Sequence, residues 1–248
     1  MGEYNVIAVI IPTKDCPYLK ESLASFIPNY TNFYIRVMDD NSENWEVNRD
    51  TCKKFSKLLN IHYHRLIDST TPGQCLYPIK EGIKRSKDAD YIKIFGSDDF
   101  LEPHALDYEH EFIDRHKDKF DAVLTSYTEV NDSLQPLNRV YKVHHTITKD
   151  MMKLGCFMTD ATVVKRSFFD DVAWDTTIGS RWLWRIWFEM MCKGLRVYSI
   201  PDFISQKYRK HTNNMSNKDG YRVGEAKLPC IFKEIEEKYA VSDNRNNR

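Results

Sequence analysis

The sequence predicts an α/β fold, with a central, mostly parallel sheet flanked by helices in a single domain. Apolar, β-branched runs alternate with amphipathic stretches through the first hundred residues. The first of them, Val6 to Ile11, is continuous instead of every-other-residue, as in a strand buried on both faces. The chain has 248 residues, 42% of them hydrophobic, which is enough for one sizeable core.

Val6-Ile7-Ala8-Val9-Ile10-Ile11 reads as the first strand, stopped by Pro12. A helix follows over Tyr18 to Phe26, with Leu19, Leu23 and Phe26 at helical spacing. Phe33 to Met38 is the second strand, ended by Asp39-Asp40-Asn41-Ser42. Val47 to Leu59 is helical, Ile61 to Leu66 is the third strand, and Pro78 to Ser86 is helical. Tyr91 to Phe95 is the fourth strand, ended by Gly96-Ser97-Asp98-Asp99. This β-α-β-α-β-α-β order calls for a parallel sheet with right-handed crossovers.

The second half is less regular. Pro103 to His116 predicts a helix, and Ala122 to Tyr127 and Val140 to His144 predict strands. Thr148 caps a helix to Leu154. Thr162-Val163-Val164 is strand-like, Trp182 to Cys192 is an apolar helix, and Gly194 ends it. Leu195 to Ile200 is a short strand closed by Pro201, and Leu228 to Tyr239 is the last helix. Residues 241–248 are expected to form a disordered tail.

Composition narrows the function classes. The 36 basic and 36 acidic residues cancel, so no polyanion such as nucleic acid is expected as a partner. Phe, Trp and Tyr make up 13% of the chain, a surplus that suits core packing and also the faces of sugar rings. The 6 cysteines form no CxxC pair and no zinc-like spacing with His, so reduced thiols in a reducing compartment are expected. The N-terminus lacks a basic region before an apolar stretch, and no apolar run approaches the roughly 20 residues of a membrane span. A cytoplasmic location follows as the expectation.

Both acidic clusters fall at carboxyl ends of predicted strands, where ligands of open α/β sheets bind. Two adjacent carboxylates, Asp98 and Asp99, suit a hard divalent cation that takes its remaining ligands from substrate phosphates. Gly-Ser-Asp-Asp is equally ordinary turn composition. A carboxylate in Asp39-Asp40 could accept a hydrogen bond from a base or ribose, or simply shape a turn in which Asn41 is left-handed.

Taken together, Val9-Ile10-Ile11-Pro12-Thr13, Val37-Met38-Asp39-Asp40-Asn41-Ser42 and Gly96-Ser97-Asp98-Asp99 resemble the inverting GT-A glycosyltransferases of family 2. Tyr208-Arg209-Lys210-His211, running on to Ser216, resembles that family's closing Tyr-Arg-x-His…Ser segment. The resemblance implies a nucleotide-binding half over 1–100 and an acceptor-binding half over 101–240. It implies that Pro12 and Thr13 lie against the base and that Asp40 bonds it, commonly uracil, so that a UDP-sugar is the first donor to consider. It further implies that Asp98 faces the ribose and sugar-phosphate, that Asp99 and His211 hold Mn²⁺ or Mg²⁺, and that Arg209 neutralises the diphosphate. The acceptor would be a hydroxyl on a glycan or glycoconjugate.

The chain departs from the family in two places. The usual Glu-Asp pair, source of the general base, is absent from Ile178-Gly179-Ser180-Arg181-Trp182. Asp160, then Asp175, then Glu189 are the candidates for that role. Tyr77-Pro78-Ile79-Lys80 stands where relatives carry an Arg-Asn pair, with Lys80 or Arg85 as replacement cations. Trp182, Trp184 and Trp187 are divided between core and an acceptor border. A nucleotidyltransferase is disfavoured because Pro12 to Pro17 lacks a Gly-rich loop. The missing Glu-Asp pair leaves a second reading open, a non-catalytic module that binds a nucleotide-sugar or glycan.

Overall fold

The computed structural model describes residues 5–68, 75–160, 162–174, 181–214 and 225–246, with side chains to residue 240. Strand β1 (Ile7–Thr13) is wholly buried and pairs in parallel with β2 (Phe33–Asp39) and β4 (Tyr91–Ile94). β3 (Ile61–Arg65) adds outside β2, again in parallel. β1 runs through Pro12 instead of stopping there. Its pairing with β4 ends at Ile10, so the N–H that proline lacks faces no ladder partner.

The sheet continues past β4 in the order β3-β2-β1-β4-β8-β6-β9-β5, with β7 (Pro136–Tyr141) on β6 (Ala122–Val130). β8 (Val163–Lys165), β5 (Phe100–Leu101) and β7 run against the others, while β6 and β9 (Val197–Arg209) are parallel. The expected short strand ending at Pro201 is thus a long strand that passes through it. Register shifts on either side of Ser126 absorb the proline, and Ser126 Oγ donates to the Pro201 carbonyl at 2.7 Å.

Helices cover both faces. Ile7, Val9 and Ile11 pack under α1 (Leu19–Ala24), α2 (Trp45–Phe55) and α4 (Ala105–His116). Ala8 and Ile10 face α3 (Leu76–Lys84), α5 (Lys149–Leu154), α6 (Trp182–Cys192) and α7 (Leu228–Asn246). This division follows from the two-residue period of a strand buried on both sides. Thr148 Oγ1 caps α5 by accepting from the Met151 N–H at 3.2 Å. Gly194 follows α6 at φ +89°, a left-handed position that glycine adopts without strain. The backbone of α7 continues to Asn246, beyond the predicted start of the tail. Among the described residues, no helix is long and apolar enough to cross a membrane.

Candidate active site

β2, β1 and β4 end at one edge of the sheet, and the segments leaving them line a cavity of about 750 Å³. Pro12, Thr13, Asp40, Asp98, Asp99, Asp160 and His211 all border it. The two aspartates after β2 have separate tasks. Asp39 is buried and builds the turn, accepting from the Ser42 N–H (2.7 Å), Asn48 Nδ2 (2.9 Å) and Tyr63 Oη (2.8 Å). Asp40 reaches the cavity instead, with its N–H on the Thr13 carbonyl at 2.8 Å. Asn41 takes φ +53°, and Lys14 Nζ donates to the carbonyls of Asp40 and Asn41 at 3.0 Å each.

The loop after β4 brings two carboxylates over Gly96. A Cβ at Gly96 would lie 2.8 Å from both Asp98 Oδ1 and Asp99 Oδ2, so the glycine is what allows them to converge. Asp99 is buried, with Oδ1 accepting from the Arg209 N–H at 3.0 Å. Its pKa is raised well above the ordinary carboxylate value, first by burial and then by the charges of Asp98 and Asp160. Asp98 Oδ2 lies 2.9 Å from His211 Nε2 and accepts from Asn214 Nδ2 at 3.3 Å. The imidazole therefore meets Asp98, the neighbour of the expected metal ligand.

Among the described residues, no three His, Cys, Asp or Glu side chains converge into a complete protein metal cage. The donors present still fit a hard divalent cation. Two carboxylates and an imidazole sit at the cavity wall, Asp99 is buried among like charges that a cation would offset, and phosphate or water oxygens complete such shells.

Arg209 is not among the lining residues. Its buried guanidinium lies beneath the acidic loop, donating to the carbonyls of Asp98 (2.8 Å) and Asp132 (2.5 Å) and to Glu21 Oε2 (2.6 Å), with Tyr18 stacked 4.0 Å away. It holds the loop in place. Lys80 and Arg85 are exposed, and Arg85 lies 3.8 Å from Glu81. Among the described residues, the Lys and Arg side chains that border the cavity are Lys14 and Arg181. Arg181 precedes α6, contacts Glu225 and lies 5.9 Å over the Trp184 ring.

Glu189 is removed from the base candidates. It is fully buried between α6 and α7, accepting from Lys238 (2.9 Å), Tyr239 (3.1 Å) and the Ala173 N–H (3.1 Å), with Arg185 at 3.2 Å. Burial raises its pKa, but these partners outweigh it and leave the carboxyl below its usual value. Asp175 lies outside the described residues, as do Thr71 to Gln74 and Ser216. Asp160 shares the cavity with Asp99 closely enough to act on its charge.

The remaining wall is aromatic and thiol-bearing. Tyr127 stacks on Tyr141 with centroids 4.9 Å apart, and Tyr208 tilts against Tyr127 at 5.7 Å. Trp184 borders the cavity and donates Nε1–H to the Met152 carbonyl at 2.6 Å, Trp182 borders it while buried, and Trp187 is core. Cys16, Cys75 and Cys156 also line the cavity, and all 6 cysteines are free. Burial pushes the Cys16 thiol up and the Cys156 thiol to about 12. Sequence reasoning gave no role to Tyr127, Tyr208, Asn214 and Glu225, which come from three separate segments. Tyr208 and Asn214 lay within the noted closing segment.

No protein-family model matches the chain, and no curated protein matches it by sequence. Solved structures do match. S. aureus TarS 1–349 in complex with UDP aligns at TM-score 0.68 and 18% identity, over 92% of this chain and 70% of that one. TarS 1–349 in complex with UDP-GlcNAc aligns at TM-score 0.64 and 18% identity, over 86% of this chain and 61% of that one. The longer TarS structure aligns at 0.63 and 17%, and this chain spans 36% of it. The α/β fold of this chain, with its mostly parallel sheet, is the fold of those TarS structures.

Proposed function

We propose that the chain is a metal-assisted, inverting glycosyltransferase of the family 2 type. It would move a sugar from a nucleotide-diphosphate donor, with UDP-sugars first in line, to a hydroxyl of a glycan or glycoconjugate. The observation that carries this reading is the crowding of Asp98, Asp99 and Asp160 in one cavity at the carboxyl edge of the sheet, with Asp99 buried. A doubly anionic diphosphate enters such a cavity only with a cation to offset both sides. The same fold in TarS accommodates UDP-GlcNAc, which supports the donor class.

In this reading Asp40 accepts a hydrogen bond from the base, beside Pro12 and Thr13. Asp99 and His211 would hold Mn²⁺ or Mg²⁺, which supplies Lewis-acid stabilisation to the departing diphosphate, and Asp98 would face the ribose and sugar-phosphate. Asp160 receives the proton of the acceptor hydroxyl as general base. One in-line displacement through an oxocarbenium-like transition state then inverts the anomeric centre.

The test is thermal unfolding with a panel of nucleotide sugars, each with Mn²⁺ and again with EDTA. A ligand at about 100 times its Kd stabilises the fold by about 2.7 kcal/mol. Stabilisation by one nucleotide class that needs the metal is the expected result. No shift with any donor would overturn the reading. The absence of a Glu-Asp pair before α6 favours a second reading, a module that binds a donor or glycan without turnover. Donor stabilisation without any sugar transfer or donor hydrolysis would decide for it.

A further inference from the structure

We infer that Arg181 is the side chain that grips the donor diphosphate, and that Glu225 holds it while the cavity is empty of donor. The inference rests on the transferase reading and adds to it a residue at the position where the family resemblance led us to expect a base. Among the described residues, the non-histidine cations lining the cavity are Lys14 and Arg181. Lys14 has its ammonium on two backbone carbonyls, where it fixes the turn that presents Asp40. Arg181 differs in what it touches. One of its partners is a carboxylate on another element, Glu225, which is itself 44% exposed.

Glu225 is open to water while the Arg181 side chain is 16% exposed, so a doubly charged diphosphate with matching fork geometry competes for the guanidinium against a partly screened carboxylate. The Trp184 ring under the guanidinium limits where the charge swings, which keeps it at the cavity. Chain connectivity gives the exchange a consequence. Arg181 opens α6 and Glu225 lies in the turn leading into α7, so the pair ties together two segments that both border the cavity. Donor binding would trade that tie for a phosphate contact and leave Glu225 free to face the acceptor side.

The test uses the full chain with Mn²⁺ and two probes, UDP and uridine, titrated calorimetrically into wild type, Arg181→Gln, Arg181→Lys and Glu225→Gln. Losing a hydrogen-bonded charge contact should weaken UDP roughly 10- to 100-fold in Arg181→Gln, with Arg181→Lys in between. Uridine, which has no phosphate, should bind all four proteins alike. Glu225→Gln should bind UDP as tightly as wild type or more tightly, because the competing carboxylate charge is gone. Equal UDP affinity in wild type and Arg181→Gln would overturn the inference. So would a loss of uridine affinity parallel to that of UDP, since it would mark Arg181 as merely structural. If wild type bound a panel of nucleoside diphosphates no better than the matching nucleosides, the transferase reading would fail and this inference with it.

Discussion

Gly96 determines how close two carboxylates come, because the space a methyl would fill is already bounded by Asp98 Oδ1 and Asp99 Oδ2 at 2.8 Å. Gly96→Ala is expected to spread them, costing about 1–3 kcal/mol of stability through overpacking and removing Mn²⁺-dependent donor stabilisation. Denaturant melts and the metal-dependent thermal shift measure the two effects separately. Asp160→Asn should leave donor affinity intact and lower turnover by about 10²–10⁴-fold, the range for loss of a general base. Unchanged turnover would pass the role to Asp175. Much of the cavity's acidic lining was legible as residue types at strand ends, where Asp40, Asp98 and Asp99 stood out. Side-chain direction was not. Sequence adjacency does not say which of two neighbouring aspartates meets His211, and a turn decided for Asp98. Nor does an arginine in a resembling motif declare whether it faces a ligand or, like Arg209, lies buried beneath the loop.

Among the elements, β4 carries a charge in its core-facing register. Lys93 is fully buried and meets Glu109 of α4 at 2.9 and 3.0 Å, with Thr125 of β6 at 3.3 Å from the same carboxylate and Ser205 of β9 at 2.6 Å from Thr125. Burial raises the Glu109 pKa, with Lys93 opposing that rise. Lys93→Met would strand the carboxylate and should cost roughly 3–5 kcal/mol, whereas Lys93→Met with Glu109→Leu should recover most of it. Urea unfolding of the three proteins checks this. Strand β4 itself was legible because Lys93 stands among Tyr91, Ile92, Ile94 and Phe95. The second half of β9 was not, since the predicted strand closes at Pro201, and only the irregular pairing around Ser126 carries it on to Arg209. Long-range pairing, not local propensity, makes that segment a strand.

Over the whole molecule, stability should fall in acid for a definable reason. His64, on edge strand β3, is partly buried, and burial together with Arg85 and Arg36 lowers its pKa from 6.5 to about 4. The unfolded chain therefore takes up this proton first. Its contribution is present above about pH 6.5 and is lost as pH falls toward 4. His64→Asn should flatten the dependence of Tm on pH within that window, and melts at half-unit intervals would show it. The α/β class and the strand–helix alternation of the first half followed from the sequence because β1 and β4 are buried on both faces, even though edge strand β3 is partly exposed. The mixed second half, where short strands pair with distant partners, carried no comparable periodic signal.

The sulfurs of the cavity bear on which ions it can select. With Cys16 and Cys156 pushed toward the protonated form, the lining offers oxygen and imidazole donors at neutral pH while these two thiols stay silent. Thiophilic ions such as Zn²⁺ and Cu⁺ gain most of their advantage from thiolate, so under the proposed function the cation expected beside the diphosphate is a hard one such as Mn²⁺ or Mg²⁺. Alkylating reagents meet the same barrier, and iodoacetamide at pH 7 should mark exposed Cys230 well before Cys16 or Cys156.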